Sequence, residues 1–330
     1  MAPASRGLTY LIATGAFALG MASYVTAGLI PMIQTEFAVS VSVAAQLVTA
    51  FTLAYGLGSP LCVALLPAHR QGGGLFVMLA LFVVANAASA MATDIVTLMA
   101  LRVFAGVAAG TYLAIGLVAL FGLMCRLPPL PATPTVPVHK KLAILADRRV
   151  IGLLSISLLA AIASLGMYTF IAPLVTAHGD PPVAAFLWVW GLGGVLGSFL
   201  VGALVDRFQG HTLIFAILLM LGVALIVLPF LIAINLWFAL APIALWGAVG
   251  WALQVPQNNE LMKARGKHGD GNLAVALNES ALYLGSAIGA SIGGLTLALN
   301  VPVGTLSVGA GCVALLGIAV QLLYLRPRGR

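Results

Sequence analysis

Two charged side chains stand inside otherwise apolar runs, and chemistry is to be sought there first. Arg102 follows the apolar stretch 95–101, and Glu279 sits within the apolar stretch 273–296. A charge at the centre of a bilayer costs roughly 2.5 to 3.5 kcal/mol on insertion scales, so each needs a partner, a wet cavity or a route to the interface. Arg102 lies seven residues beyond Ile95, about 10 Å along a helix. Gly106 and Gly110 share its face at i+4 and i+8, which turns that face toward protein rather than lipid. Two readings stay open for it: a functional intramembrane charge, or an arginine held in an ion pair or snorkelling to the interface. Glu279 is either a protonatable carboxylate that binds a proton or a cationic substrate, or an acid serving a helix N-terminus capped by Asn272.

Polar but uncharged groups accompany them. Tyr24, Tyr55, Asn86, Tyr112, Tyr168, Asn278 and Tyr283 are available to line a pocket, although hydroxyl and amide groups in spans also bond to neighbouring helices. Gln254, Gln257, Asn258 and Asn259 read as an inner gate or a helix ending where a span meets the cytosol. Trp188 and Trp190, near the outer start of another span, read as interface anchors. Cys62, Cys125 and Cys312 have no metal-ligand spacing and read as small packing residues. No His-Glu-x-x-His pair occurs, and Gly266-Lys267-His268 lacks the glycine spacing and the Ser or Thr of a phosphate-binding loop. The expectation is no enzyme, no metal and no cofactor.

The elements that must position these residues follow from composition. Of 330 residues, 62% are apolar and 7% charged, with a mean hydropathy of +1.13, whereas soluble domains carry about 25% charged residues. Spanning stretches fall at 8–30, 41–66, 74–92, 95–124, 150–176, 183–204, 212–233, 236–256, 273–296 and 303–325. The first continues too far for a cleaved signal peptide. This predicts an all-α, polytopic membrane bundle of about ten transmembrane helices. The segment 125–149 interrupts them with Pro128, Pro129, Pro131, Pro134 and Pro137 and the basic residues Arg126, Lys140, Lys141, Arg148 and Arg149, which makes it a cytoplasmic linker. The domains expected are a four-helix bundle over 1–124, that linker, and a six-helix bundle over 150–330.

With both termini inside, inner segments hold 14 of the 15 basic residues, Arg102 being the exception. That distribution sets the orientation and explains the net charge of +7 without a nucleic-acid partner. Glycines recur at four-residue spacing in Gly193 and Gly197, and in Gly285, Gly289 and Gly293, as they do where helices pack closely in lipid. A weak repeat joins Tyr24 and Pro31 to Tyr168 and Pro173, and repeated halves are a common transporter design.

The loop Gly202-Ala-Leu-Val-Asp206-Arg207-Phe-Gln-Gly210-His211 resembles the signature loop of the major facilitator superfamily. The stretches 28–40, 46–61, 98–114 and 277–295 are similar to its drug-efflux and arabinose-efflux branch. The resemblance implies a proton-exchanging efflux permease for a small amphipathic compound, in a bacterial inner membrane. It links Arg102 to coupling and makes Gly202, Asp206, Arg207 and Gly210 a gating loop. Two departures stand out. The equivalent loop at 66–74 lacks the aspartate, and members have twelve spans arranged six plus six. Here 98–113 resembles the start of the family's fourth helix and 117–131 the end of its sixth. The chain therefore reads as a shortened, four-plus-six major facilitator fold without the fifth helix, which in the family packs against the eighth. A deletion remnant or a non-transporting membrane interaction protein is the rival reading, and a homo-oligomer stays open.

Overall fold

The computed structural model describes residues 3–65, 71–124, 143–266 and 271–324. Twelve α-helices cover them: α1 Pro3–Phe37, α2 Val41–Leu65, α3 Gln71–Ser89, α4 Ile95–Met124, α5 Arg148–Tyr168, α6 Ile171–Thr176, α7 Val183–Arg207, α8 Gly210–Ile234, α9 Leu240–Ala252, α10 Gln254–Arg265, α11 Gly271–Ala298 and α12 Val303–Tyr324. Short 3-10 turns at Ala143–Ala146 and Leu236–Ala239 complete the chain, and no strand occurs among the described residues. Among the described residues eight segments are long and apolar enough to cross a membrane, and Gly73–Ser89 is a shorter apolar helix. Most of the proline-rich linker lies outside the described residues, as do Arg70, Cys125, Arg126, Lys140, Lys141, Lys267, Arg326, Arg328 and Arg330.

Two boundaries differ from the hydropathy reading. The stretch 150–176 is two helices, because Pro173 cannot donate to the carbonyl of Thr169. The amides of Thr169 and Phe170 instead close tight turns onto Gly166 and Met167, at 3.3 and 2.9 Å. The stretch 236–256 runs on through Leu253 to Arg265, so Gln254, Gln257, Asn258 and Asn259 lie within a helix rather than at its end. The stretch 95–124 is one helix as expected: α4 passes without a break through the 113–117 junction. Its start is capped by Asp94, whose Oδ1 accepts from the Thr97 amide at 2.8 Å and whose Oδ2 accepts from the Thr97 hydroxyl at 2.6 Å. These bonds, the hydroxyl first, hold the Asp94 carboxyl below its ordinary range. The cap is therefore intact at neutral pH and lost as pH falls through that lowered value.

Packing is organised by α11, which lies along both α5 and α2. On the α5 side, a Cβ at Gly289 would meet the carbonyl of Ile162 and the Cα of Gly166, and one at Gly285 would meet the carbonyl of Leu158. On the α2 side, the Ser42 hydroxyl donates to the carbonyl of Gly294, and Ser291 donates to Thr49 at 3.4 Å. The pair α7 and α9 repeats the device, with Gly193 and Gly197 against the carbonyls of Ala244 and Ala248. At the start of α5, Asp147 caps the helix through the Arg149 amide at 2.9 Å and pairs with Arg265 at 3.3 Å. Away from α9, α7 turns Trp188, Leu192, Val195, Leu196, Phe199 and Leu200 outward, all exposed. Cys312 is likewise exposed on α12 rather than packed.

Gly289→Val should lower stability by about 1 to 3 kcal/mol, the usual cost of overpacking. Gly202→Val, which meets nothing within 4 Å, should leave the thermal midpoint nearly unchanged. Tryptophan fluorescence of the detergent-solubilised protein reads both, and equal midpoints would refute the seam.

Candidate functional site

Five aromatic side chains from four helices converge where α1 meets α5, α7 and α9. Tyr24 on α1 lies edge-on to Tyr168 on α5 at 5.5 Å, and within 5.8 Å of Trp190 on α7 and 5.5 Å of Trp251 on α9. Trp190 also approaches Tyr168 at 4.3 Å, Trp251 at 5.9 Å and Trp246 at 6.3 Å. Glycine makes this convergence possible, since a Cβ at Gly194 would strike the ring of Trp251 and one at Gly250 the hydroxyl of Ser164. The Trp246 indole N–H donates to that hydroxyl at 2.8 Å, and Tyr168 donates to the carbonyl of Tyr24 at 3.3 Å. Around them is a small, partly open cavity walled by Tyr24, Ser164, Trp190, Trp251 and Gln254 among others. A second, smaller one shares Tyr24 and Leu165 with it and reaches Ser23, Thr52, Tyr283 and Ser286. Aromatic walls with few polar groups suit an apolar or amphipathic guest.

Glu279 borders this region. Its Oε1 accepts from Gln254 Nε2 at 3.3 Å, and it lies within electrostatic reach of the hydroxyls of Tyr24, Tyr55 and Tyr283. Tyr55 and Tyr283 stack at 3.4 Å, joining α2 to α11. Glu279 stands past the first turn of α11, so the helix-terminus alternative does not describe it. Arg102 lies apart from this group. Its guanidinium is 6% exposed, donates to Thr26 Oγ1 at 2.5 Å and to the carbonyl of Ala22 at 3.2 Å, and sits 4.6 Å over the ring of Phe51. Neither snorkelling nor an ion pair describes it among the described residues: it is buried among neutral acceptors and a π face, with Nε unpartnered.

The remaining expected residues divide. Tyr24, Tyr168 and Tyr283 line the cavities, and Tyr55 packs on Tyr283. Asn86 instead bonds back to the carbonyl of Phe82 at 2.7 Å within α3, and Tyr112 is buried in the cluster of Leu19, Phe51 and Ala109. Asn278 is fully buried and donates to Asn258 at 2.8 Å. Asp206 and Arg207 end α7 exposed and without an ion pair among the described residues, while Gly210 abuts Glu260 of α10. Trp190 corrects the sequence reading: it is 4% exposed and walls the cavity, whereas Trp188 is 69% exposed, as an anchor would be. The signal was present, because Trp190 stands three and seven residues before Gly193 and Gly197, on the face those glycines turn toward α9.

Ser164→Ala should destabilise the protein by about 1 to 3 kcal/mol, since it strands the Trp246 N–H. Combining it with Trp246→Phe should cost less than the two single losses added, because no buried donor is left over. Thermal unfolding of the four proteins reads the difference, and strict additivity would deny the bond its role.

A family model described as Major Facilitator Superfamily matches residues 111–290. The inner membrane transport protein YdhP of Escherichia coli (strain K12) is 28% identical over 375 aligned positions, covering 96% of this chain and 95% of that protein. That alignment is longer than the 330 residues available here, so the relative has residues where this chain has none. A chloramphenicol resistance protein of Streptomyces lividans is 25% identical over 260 positions, covering 60% of this chain and 66% of that protein. The fold superposes on the nucleoside transporter NupG with a TM-score of 0.69 at 11% identity, covering 98% of this chain and 100% of that one. A helical membrane bundle with an aromatic cavity among its helices, matched over more than half its length by one family model, identifies this chain as a member of the Major Facilitator Superfamily of membrane transporters.

Proposed function

We propose that the chain is an efflux permease of the cytoplasmic membrane, exporting a small amphipathic compound in exchange for protons. The observation that carries this reading is the contact between the Glu279 carboxylate and Gln254, a residue that walls the aromatic cavity. A proton on Glu279 and a guest among Tyr24, Trp190 and Trp251 then compete through one shared side chain. Binding that excludes simultaneous protonation is the elementary requirement for exchange. Arg102 serves the cycle differently. It ties α4 to α1 two residues to either side of Tyr24, at Ala22 and Thr26, so movement of the cavity wall pulls on the guanidinium. The parts 1–124 and 150–330 rock against each other about this midplane site, with Gly202, Asp206, Arg207 and Gly210 closing the inner side and both termini cytoplasmic.

A second reading has its own support. The exposed apolar stripe of α7 and the residues missing relative to YdhP both fit a bundle without a sealed pathway. Such a protein inserts and folds but moves nothing.

Acidified inverted vesicles separate the two. Addition of lipophilic cations, sugars or nucleosides should release protons for at least one class, and Glu279→Gln should abolish release. Arg102→Ala should lower it at least tenfold, and Arg102→Lys should recover part of it, because both bonds, to Ala22 and Thr26, leave one nitrogen, Nη2. Silence across the panel from correctly inserted protein would favour the non-transporting reading.

A further inference from the structure

We propose that the polar face of α10, together with Asn278 and Glu279 of α11, forms a binding site for a monovalent alkali cation, sodium. Gln254, Gln257 and Asn258 recur at i, i+3 and i+4, which places them on one side of α10. Two of the three are tied to α11: Gln254 donates to Glu279 at 3.3 Å, and Asn258 accepts from Asn278 at 2.8 Å. The third, Gln257, is 0% exposed, and neither its oxygen nor its nitrogen has a partner. Asn278 is also 0% exposed, with its Oδ1 unpartnered. Folded proteins rarely leave buried amides unsatisfied. Where they do, the missing partner is a bound water or an ion.

The donor set selects the ion. The site offers one carboxylate and several amide oxygens, all hard ligands, and no thiolate or imidazole among its members. One negative charge matches one positive charge, and no group of three acidic, histidine or cysteine ligands gathers among the described residues to hold a divalent ion. No protein cation takes the place: Lys263 pairs with Glu260, Arg265 pairs with Asp147, and no basic side chain pairs with Glu279 among the described residues. The backbone adds to the case. The helical backbone runs on through Leu253, whose amide bonds to Val249 and whose carbonyl accepts from Gln257, both at 3.2 Å, but Pro256 has no N–H to offer the carbonyl of Ala252, which lacks its usual helical donor. The inference deepens the exchange reading, because sodium becomes a competitor for the carboxylate that the reading assigns to the proton.

The test is thermal unfolding of the detergent-purified chain, with sodium chloride replacing choline chloride at constant ionic strength. The midpoint should rise saturably with sodium, as it does for a ligand that binds only the folded state. Gln257→Met should unfold no earlier than the native chain in choline, since it removes an unsatisfied amide, yet lose the sodium-dependent rise. Glu279→Gln should lose the rise too. Equal midpoints in sodium and choline for the native chain, or a rise that survives in Gln257→Met, overturns the site. Proton release from vesicles alongside a sodium-insensitive midpoint leaves the efflux reading standing without the ion. A sodium-dependent midpoint in a chain silent in vesicles does the reverse.

Discussion

Everything in this bundle depends on α11 lying close to two helices at once. Lipid tails are as apolar as the side chains between helices, so burying leucine against leucine gives little advantage over burying it against lipid. What remains is close atomic contact, and contact at this range requires the absence of side chains. Gly285 and Gly289 supply it toward α5, while Ser42, Thr49 and Ser291 stitch the other side to α2. Because α11 also carries Asn278, Glu279 and Tyr283, the depth of the polar groups follows from where those glycines let the helix settle. The geometry of the site is thus a by-product of packing on the opposite face.

The same logic builds the aromatic cavity. Gly193 and Gly197 bring α7 and α9 together, and the bulk that the glycines save is spent one turn away on Trp190, Trp246 and Trp251. Large rings flank the close contact and hold the cavity open beside it. Tyr24 reaches in from α1 and meets two of these rings, Trp190 and Trp251, and the ring of Tyr168, so the cavity is completed only where α1 packs on α5, α7 and α9. A cavity walled by four helices takes its shape from how they pack on one another.

Much of the fold was legible from hydropathy alone, because spanning helices announce themselves by length. The helices fell where apolar runs fell, and the glycine spacing correctly named the close faces. Facing and continuity were harder. Trp190 read as an anchor because tryptophan near a span end usually is one, and only its register with Gly193 and Gly197 argued otherwise. Gln254, Gln257 and Asn258 read as a helix ending because amides and Pro256 depress hydropathy in any window, whether the backbone stops or continues. Here it continues to Arg265, with Gln257 buried and Gln254 and Asn258 half-buried. Asn86 and Tyr112 were polar enough to suggest a pocket, yet one bonds to its own helix and the other fills a gap beside α1. Residue type could not distinguish these fates, since the deciding fact is what stands across from each side chain.

The outward stripe on α7, from Leu192 to Leu200, carries a consequence for handling the protein. Inside a membrane those side chains are solvated by acyl chains, and a neighbouring helix would be only another apolar surface, so its absence carries little penalty. Folding in lipid is therefore no barrier to a shortened member of this architecture. Once the bilayer is replaced by a short-chain detergent, the same stripe becomes a broad sticky surface bordering water. Thick-belted micelles or lipid nanodiscs are the environments in which this molecule should stay monodisperse.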